Sequence, residues 1–169
     1  MHQLGIYLRG LTLFVAGVVL GTATIPSSVA QETSNGALRL NHVGIAVKDF
    51  QESLNFYTKV MGFRVAYALP SPDGKPTTTF FQISRDTFLE MAPATANLPA
   101  GLTHIGVLTD DASASVTQLR KAGATMADVR SGGGTGSRLS NVMDPNGIRL
   151  EVVEQPSGSL MRKAMESWK

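Results

Sequence analysis

The stretch Leu40-Asn41-His42-Val43-Gly44-Ile45 returns 62 residues later as Leu102-Thr103-His104-Ile105-Gly106-Val107. The first copy runs into Asp49, which suits a helix N-cap, and an apolar helical pattern follows. Both helical stretches end at a glycine, Gly62 or Gly123, as helices often do. The chain therefore contains an internal repeat that begins with a strand and a helix.

The second half of each repeat predicts three more strands. Glu90 lies 28 residues after Gly62, and Glu151 lies 28 residues after Gly123. Each glutamate follows a leucine in a short β-prone segment, and there is room for two strands between it and the preceding helix. The predicted strands are 63–69, 77–85, 126–130 and 138–143, followed by the glutamate segments 88–91 and 149–152.

These elements predict an α+β fold: two tandem βαβββ modules, residues 39–93 and 101–155, that form a curved mixed sheet around a cleft. A linker rich in Pro and Ala, 93–101, joins the modules. In the tail, 156–169, apolar residues fall on one helical face and predict a terminal helix. That helix packs on its own domain or on a second copy of the chain in a homodimer.

Strand alternation places a histidine and a glutamate of each module on the face opposite the apolar residues. A lone histidine in a strand is more often a structural residue than a ligand, but here a His-Glu pair is duplicated as a unit. The residues predicted to converge are His42, Glu90, His104 and Glu151. Two imidazoles and two carboxylates suit a divalent metal, Zn²⁺, Ni²⁺, Co²⁺, Mn²⁺ or Fe²⁺, that receives a small-molecule substrate.

The composition argues against two kinds of partner. The net charge is +2 without a cluster of basic residues, which argues against nucleic-acid binding, and the absence of cysteine excludes thiolate metal ligands. Arg9, the apolar run 11–20 and small residues up to Ala30 predict a signal peptide, 1–30, before a flexible segment, 31–38. The run is shorter than the ~20 residues of a bilayer span. We therefore expect an exported protein, periplasmic or secreted, without stable membrane insertion after signal cleavage.

Three stretches resemble the vicinal oxygen chelate superfamily, which includes glyoxalase I, bleomycin-resistance proteins, methylmalonyl-CoA epimerases and extradiol dioxygenases. They are the runs 41–49 (NHVGIAVKD), 56–63 (FYTKVMGF) and 144–151 (DPNGIRLE). The resemblance covers residues 39–155. It implies the fold derived above, and the set His42, Glu90, His104 and Glu151 is similar to the glyoxalase I metal quartet.

The resemblance also implies an activity. Glyoxalase I moves a proton between adjacent carbons of a hemithioacetal, and the base implied here is Glu151 or Glu90. Bacterial glyoxalases often hold glutathione through an Arg and an Asn at positions that are Ala46 and Ala94 in this chain. The alternatives are an extradiol dioxygenase, which uses two His and one Glu, and a ligand-sequestering protein of the bleomycin-resistance type.

A glycine-rich segment, 130–138, lies where family members fold a flexible loop over the metal. It matches no phosphate-binding motif. It is either a mobile hairpin loop or a substrate lid whose Arg130 or Arg138 attracts an anion. Phe80 and Phe88 are candidates for an apolar substrate wall, with core packing as the alternative.

Overall fold

The computed structural model describes residues 38–71, 73–75 and 77–169. The predicted signal peptide and nearly all of the predicted flexible segment lie outside these residues. The strands are β1 (Arg39–Val47), β2 (Arg64–Ala68), β3 (Thr79–Ser84), β4 (Thr87–Pro93), β5 (Gly101–Thr109), β6 (Arg130–Ser131), β7 (Arg138–Met143) and β8 (Arg149–Glu154). The helices are α1 (Phe50–Asn55), which a π-helical turn (Phe56–Val60) continues, α2 (Ala112–Lys121) and α3 (Leu160–Glu166).

The eight strands form one mixed sheet in the order β2-β3-β4-β1-β5-β8-β7-β6. Within each module the first and last strands pair in parallel, β1 with β4 and β5 with β8, and the modules meet where β1 and β5 run antiparallel. The predicted α+β fold of two βαβββ modules is thereby confirmed. In this structure β1 pairs with β5 of the same chain, so the cleft lies between the two modules of one chain.

Helices α1 and α2 cover one face of the sheet, which we call the outer face. On it, Val43 and Ile45 of β1 pack with Phe50 and Leu54 of α1, as strand alternation predicts. Asp49 caps α1 by accepting a hydrogen bond of 2.8 Å from the backbone N–H of Glu52. The opposite face, which carries the histidines, is the cleft face.

The end of the first helix differs from its prediction. An α-helical pattern to Met61 would bury that residue, but its side chain is 49% exposed. The π-helical turn adds one residue per turn and so rotates the end of the helix. Gly62 then reverses the chain with a φ of 72°.

The predicted strand 126–130 is largely wrong, because only Arg130 and Ser131 pair in β6. Side chains bind the backbone carbonyl groups that a strand ladder would have used. Arg120 donates to Met126 O at 2.8 Å, and the Ser140 hydroxyl donates to Ala127 O at 2.7 Å. The sixth strand is therefore a short edge strand.

Helix α3 packs on the cleft face of its own domain. Its Met161 and Met165 are buried against Phe80, Phe88 and Leu108. Ser159 caps the helix, and Gln82 of β3 donates to Ala164 O at 3.1 Å. The terminal helix therefore fills part of the groove beside the predicted metal ligands. Among the residues described, we find no helix with the length and apolar character of a membrane span.

Candidate metal centre

The four predicted ligands lie on the four central strands of the sheet. His42 is on β1, Glu90 on β4, His104 on β5 and Glu151 on β8, and these strands are neighbours in the order β4-β1-β5-β8. Their side chains meet on the cleft face. The two Nε2 atoms of His42 and His104 are 3.0 Å apart. The four side chains that strand alternation placed on one face therefore converge at one point.

The carboxylates close around the imidazoles. Glu90 Oε2 lies 3.7 Å from His42 Nε2 and 3.5 Å from His104 Nε2, and Glu151 Oε1 lies 3.6 Å from His42 Nε2. His42, His104 and Glu151 form a set whose ligand atoms all lie within 4.8 Å of one another, and Glu90 stands outside that set. The centre is thus a compact group of three with a fourth ligand at its side.

These separations fit a divalent ion. Two atoms bound to one ion at about 2.1 Å cannot be more than about 4.2 Å apart. The four separations that involve His42 Nε2 or His104 Nε2 lie between 3.0 and 3.7 Å. Both histidines are buried, so the site offers nitrogen and oxygen donors away from bulk water. The donor set suits the borderline and hard divalent ions that the sequence predicts.

Two glycines make room for the imidazoles. In the register of β1 with β5, His42 lies opposite Gly106 and His104 lies opposite Gly44. A Cβ atom on Gly44 would overlap the His104 ring, and a Cβ atom on Gly106 would overlap the His42 ring. Each module therefore supplies a glycine that accommodates the histidine of the other. Sequence reasoning missed this role, although the His-x-Gly pattern in both repeats carries its signal.

A hydrogen bond orients His42. Its Nδ1 lies 3.0 Å from the side-chain oxygen of Asn41, whose amide nitrogen donates to Asp86 O at 2.9 Å. Because an amide oxygen can only accept, His42 Nδ1 carries the proton and Nε2 presents its lone pair to the centre. Asn41 precedes the ligand in the sequence and was not predicted to have a role.

His104 has two competing partners at Nδ1. The Thr103 hydroxyl and Arg149 Nη2 are each 2.9 Å away. A guanidinium can only donate, so the contact with Arg149 favours the tautomer with its proton on Nε2, which donates to His42 Nε2. Metal ligation through His104 Nε2 requires the other tautomer, in which Nδ1–H donates to the Thr103 hydroxyl.

The surroundings of the centre shift three pKa values. Burial lowers the pKa of His42 to about 4, although the Glu90 charge opposes this effect. Burial raises the pKa of Glu90, but its hydrogen bond with His104 and the nearby positive charges outweigh burial and lower it overall. Burial and the Glu90 charge raise the pKa of Glu151. The two carboxylates are thus pushed in opposite directions.

A cavity of about 170 Å³ opens beside the ligands. Its walls include His42, Glu90 and Glu151, together with Tyr67, Leu69, Phe80, Arg130, Leu139 and Met161. Burial of the Tyr67 hydroxyl, together with the Glu90 charge, raises its pKa, so it remains protonated.

The predicted substrate residues divide into two groups. Phe80 and Arg130 line the cavity. Phe88 does not, because its side chain is fully buried in the core beneath α3. Arg138 lies away from the cavity, where it pairs with Glu154 at 2.8 Å and donates to Ser113 Oγ at 2.9 Å. Of the two arginines in the glycine-rich segment, Arg130 lines the cavity and Arg138 does not.

Comparisons with known proteins agree with this geometry. The family model described as Glyoxalase/Bleomycin resistance protein/Dioxygenase superfamily matches residues 39–152. The uncharacterized protein YwbC of Bacillus subtilis (strain 168) is 30% identical over 127 residues, which cover 72% of this chain and 93% of that protein. Lactoylglutathione lyase of Escherichia coli O157:H7 is 28% identical over 128 residues, which cover 70% of this chain and 93% of that protein.

The solved structures support the fold. A Streptomyces coelicolor methylmalonyl-CoA epimerase, in complex with 2-nitronate-propionyl-CoA, matches with a TM-score of 0.61 at 23% identity. The match covers 72% of this chain and 96% of the epimerase. The family match spans the two modules and the four strands that carry the predicted ligands. The chain belongs to the glyoxalase/bleomycin resistance protein/dioxygenase superfamily.

Proposed function

We propose that this protein is a metal-dependent lyase or isomerase of the glyoxalase I type, which transfers a proton between adjacent carbons of a small oxygenated substrate. The observation that carries the proposal is the set of two histidines and two glutamates in a cleft of one chain, in which the other three ligands lie 3.0 to 3.7 Å from His42 Nε2. The relatives named lactoylglutathione lyase and methylmalonyl-CoA epimerase support it.

Each ligand has a role in this proposal. His42, His104, Glu90 and Glu151 hold a divalent ion, which supplies Lewis-acid chemistry by polarising a substrate oxygen. Glu151 borders the cavity, and its raised pKa suits a group that takes a proton from one substrate carbon and returns it to the next. Glu90 has a lowered pKa and stays ionised. In this proposal Glu151 transfers the proton, and Glu90 remains an ionised metal ligand.

The substrate differs from that of the glutathione-dependent relatives. The positions at which the resemblance implies glutathione-binding side chains are Ala46 and Ala94, and neither methyl group can form an ion pair or a hydrogen bond. The cavity also lies below the ~300 Å³ that drug-sized ligands fill. We therefore propose a substrate that carries another thiol or no thiol.

We also propose that the protein acts outside the cytoplasm. The support is the sequence pattern of residues 1–30, a basic residue followed by a short apolar run and small residues before Gln31. Expression of the full chain in a bacterial host, followed by fractionation and N-terminal sequencing, tests this. We expect the exported form to begin near Gln31. Retention of an intact N-terminus in the cytoplasm would contradict it.

The activity is tested on the purified protein loaded in turn with Zn²⁺, Ni²⁺, Co²⁺, Mn²⁺ and Fe²⁺. Methylglyoxal hemithioacetals of several thiols, and methylmalonyl-CoA, are offered in D2O, and NMR follows loss of the substrate C–H signal. We expect at least one metal to support exchange, and the His104→Ala variant to lose both stoichiometric metal and exchange. If the wild-type protein binds no divalent ion, the proposal fails.

A second candidate is an extradiol dioxygenase. The observation that favours it is the tighter set His42, His104 and Glu151, because two histidines and one carboxylate are the ligands of many non-haem Fe²⁺ oxygenases. Oxygen consumption by the Fe²⁺-loaded protein with catechol distinguishes this candidate. It predicts that Glu90→Ala retains oxygen consumption, whereas the isomerase proposal predicts that Glu90→Ala impairs proton exchange.

A further inference from the structure

Two buried polar side-chain atoms in the described part of the chain have no hydrogen-bond partner, Tyr67 Oη and Asn141 Oδ1. Both belong to the cleft face. Tyr67 pairs across the strands with Phe80, which in turn lies opposite Glu90, and Asn141 lies directly opposite Glu151. A buried polar group without a partner is unfavourable for stability. Its position beside a cavity suggests that a ligand supplies the partner.

Tyr67 is the better placed of the two. Its ring stacks on Phe80 with the centroids 4.5 Å apart and the planes 21° from parallel, so the side chain is held in one orientation. It lines the cavity together with His42, Glu90 and Glu151. A protonated phenol is a hydrogen-bond donor. A substrate oxygen bound in this cavity would be an acceptor for that donor.

Arg130 contributes to the same cavity from the second module. It forms no ion pair within 4.0 Å among residues 38–71, 73–75 and 77–169, and its one side-chain hydrogen bond is a 3.5 Å contact with Ser131 O. Arg138, eight residues later, is already paired with Glu154. Arg130 is exposed to solvent and lines the cavity, so its guanidinium is available to an anionic group.

We propose that the substrate is a small carboxylate-bearing molecule, one of whose oxygens accepts the Tyr67 hydroxyl while its carboxylate pairs with Arg130. The inference rests on the proposed function for the chemistry but identifies the class of substrate. Met161 of α3 closes the cavity on one side, which limits the enclosed part of the substrate to a few heavy atoms. A two-oxygen chelator such as a 2-oxo acid has the required size and charge.

The test uses two probes of the same shape, pyruvate and the uncharged pyruvamide, titrated calorimetrically into the Zn²⁺-loaded protein. We expect pyruvate to bind at least about tenfold more tightly than pyruvamide, as one charge-assisted hydrogen bond requires. Arg130→Gln should lower that preference about tenfold and leave only the part that the Zn²⁺ charge contributes. Arg138→Gln is the matched control from the same segment, and it should leave both affinities unchanged.

The Tyr67→Phe variant tests the hydroxyl. It keeps the stack on Phe80 but should weaken pyruvate binding about tenfold. Without ligand, its Tm should rise, because an unpaired buried hydroxyl is gone. Equal binding of pyruvate and pyruvamide, no binding of pyruvate by the wild type, or unchanged pyruvate binding by Tyr67→Phe would overturn the inference. If the binding results hold but no metal supports proton exchange, the proposed function fails and the substrate class stands.

Discussion

The two βαβββ modules place the same residue types, a histidine and a glutamate, at the candidate metal centre but in different surroundings. Glu90 and Glu151 occupy matching places, each in the last strand of its module. The residue opposite Glu90 is Phe80, whereas the residue opposite Glu151 is Asn141. The two glutamates therefore differ in their neighbour on the adjacent antiparallel strand, which is apolar in the first module and polar in the second.

The two modules should differ most in their contribution to activity, which is tested by replacing each glutamate with glutamine. Glu151→Gln removes the proposed base and should reduce proton exchange by about 10² to 10⁴-fold. Glu90→Gln should reduce it less, because an amide oxygen can still ligate the ion. Both variants are compared at equal metal occupancy, measured by elemental analysis. Equal losses of activity would remove the distinction between the two carboxylates.

The two modules are equivalent in that each has a glycine, Gly44 or Gly106, against the histidine of the other module, and substitution of these glycines tests that role. Gly44→Ala and Gly106→Ala each place a methyl group on the imidazole of the opposite module. Each should lower the free energy of unfolding by about 1–3 kcal/mol, the usual cost of overpacking, and should weaken Zn²⁺ binding. Urea denaturation and metal titration measure the two effects.

The control is Gly158→Ala, because no atom beyond the two neighbouring residues in the chain lies within 4 Å of the position that its new methyl group would take, and its φ is not positive. It should change neither stability nor Zn²⁺ affinity. If Gly44→Ala and Gly106→Ala also left Zn²⁺ affinity unchanged, the imidazoles would not depend on the space that the two glycines provide.

The buried histidine of the first module should make the metal-free protein sensitive to acid. An unfolded histidine binds a proton below about pH 6.5, but folded His42 stays neutral until about pH 4. The unfolded state therefore holds more protons in this window, so the free energy of unfolding falls as the pH falls from 6.5 to 4. The loss attributable to His42 is about 3 kcal/mol.

Urea denaturation at pH 7 and pH 4.5 measures that loss, and the His42→Gln variant isolates it from other titrating groups. The difference in stability between the wild type and this variant should shrink toward low pH. The pKa of Glu151 is raised, so this carboxyl contributes in the opposite direction in both proteins and largely cancels in the comparison. A difference that stays constant with pH would contradict the lowered pKa of His42.

The fold and the positions of the four candidate ligands could be predicted from the sequence, because both follow from the alternation of side chains along strands and from the internal repeat. Alternation placed His42 on the cleft face, and matched spacing placed Glu90 and Glu151 in corresponding strands. What it could not show depends on contacts between distant residues. Only the paired strands show that a side chain at Gly44 would overlap the His104 ring. Likewise, only the folded chain shows that the Ser140 hydroxyl binds the backbone carbonyl of Ala127, which keeps β6 short.

The positions of Arg138 and Phe88 show the same limit. From the sequence, Arg138 in a loop and Phe88 in a strand could both contact a substrate. In the structure, however, Arg138 pairs with Glu154, sixteen residues away. Phe88 is covered by α3, whose docking place on the cleft face no local pattern indicates. Residue type and spacing predicted which four side chains converge on the cleft face. The same information predicted the substrate contacts only in part, because those contacts depend on which distant side chains pack beside each candidate.

The smallest expected effect concerns Arg149, which has no counterpart in the first module, where Phe88 occupies the matching place two residues before the glutamate. Its guanidinium donates to His104 Nδ1 and so opposes the tautomer that ligates a metal through Nε2. Arg149→Met removes that donor and a positive charge near the centre, and should raise Zn²⁺ affinity up to about tenfold. Competition with a chelator of known affinity measures the change. Thr103→Val, which removes the hydroxyl that can accept from His104 Nδ1–H, should lower the Zn²⁺ affinity. An Arg149→Met variant that binds Zn²⁺ more weakly would show that the guanidinium supports the ligand instead of competing for it.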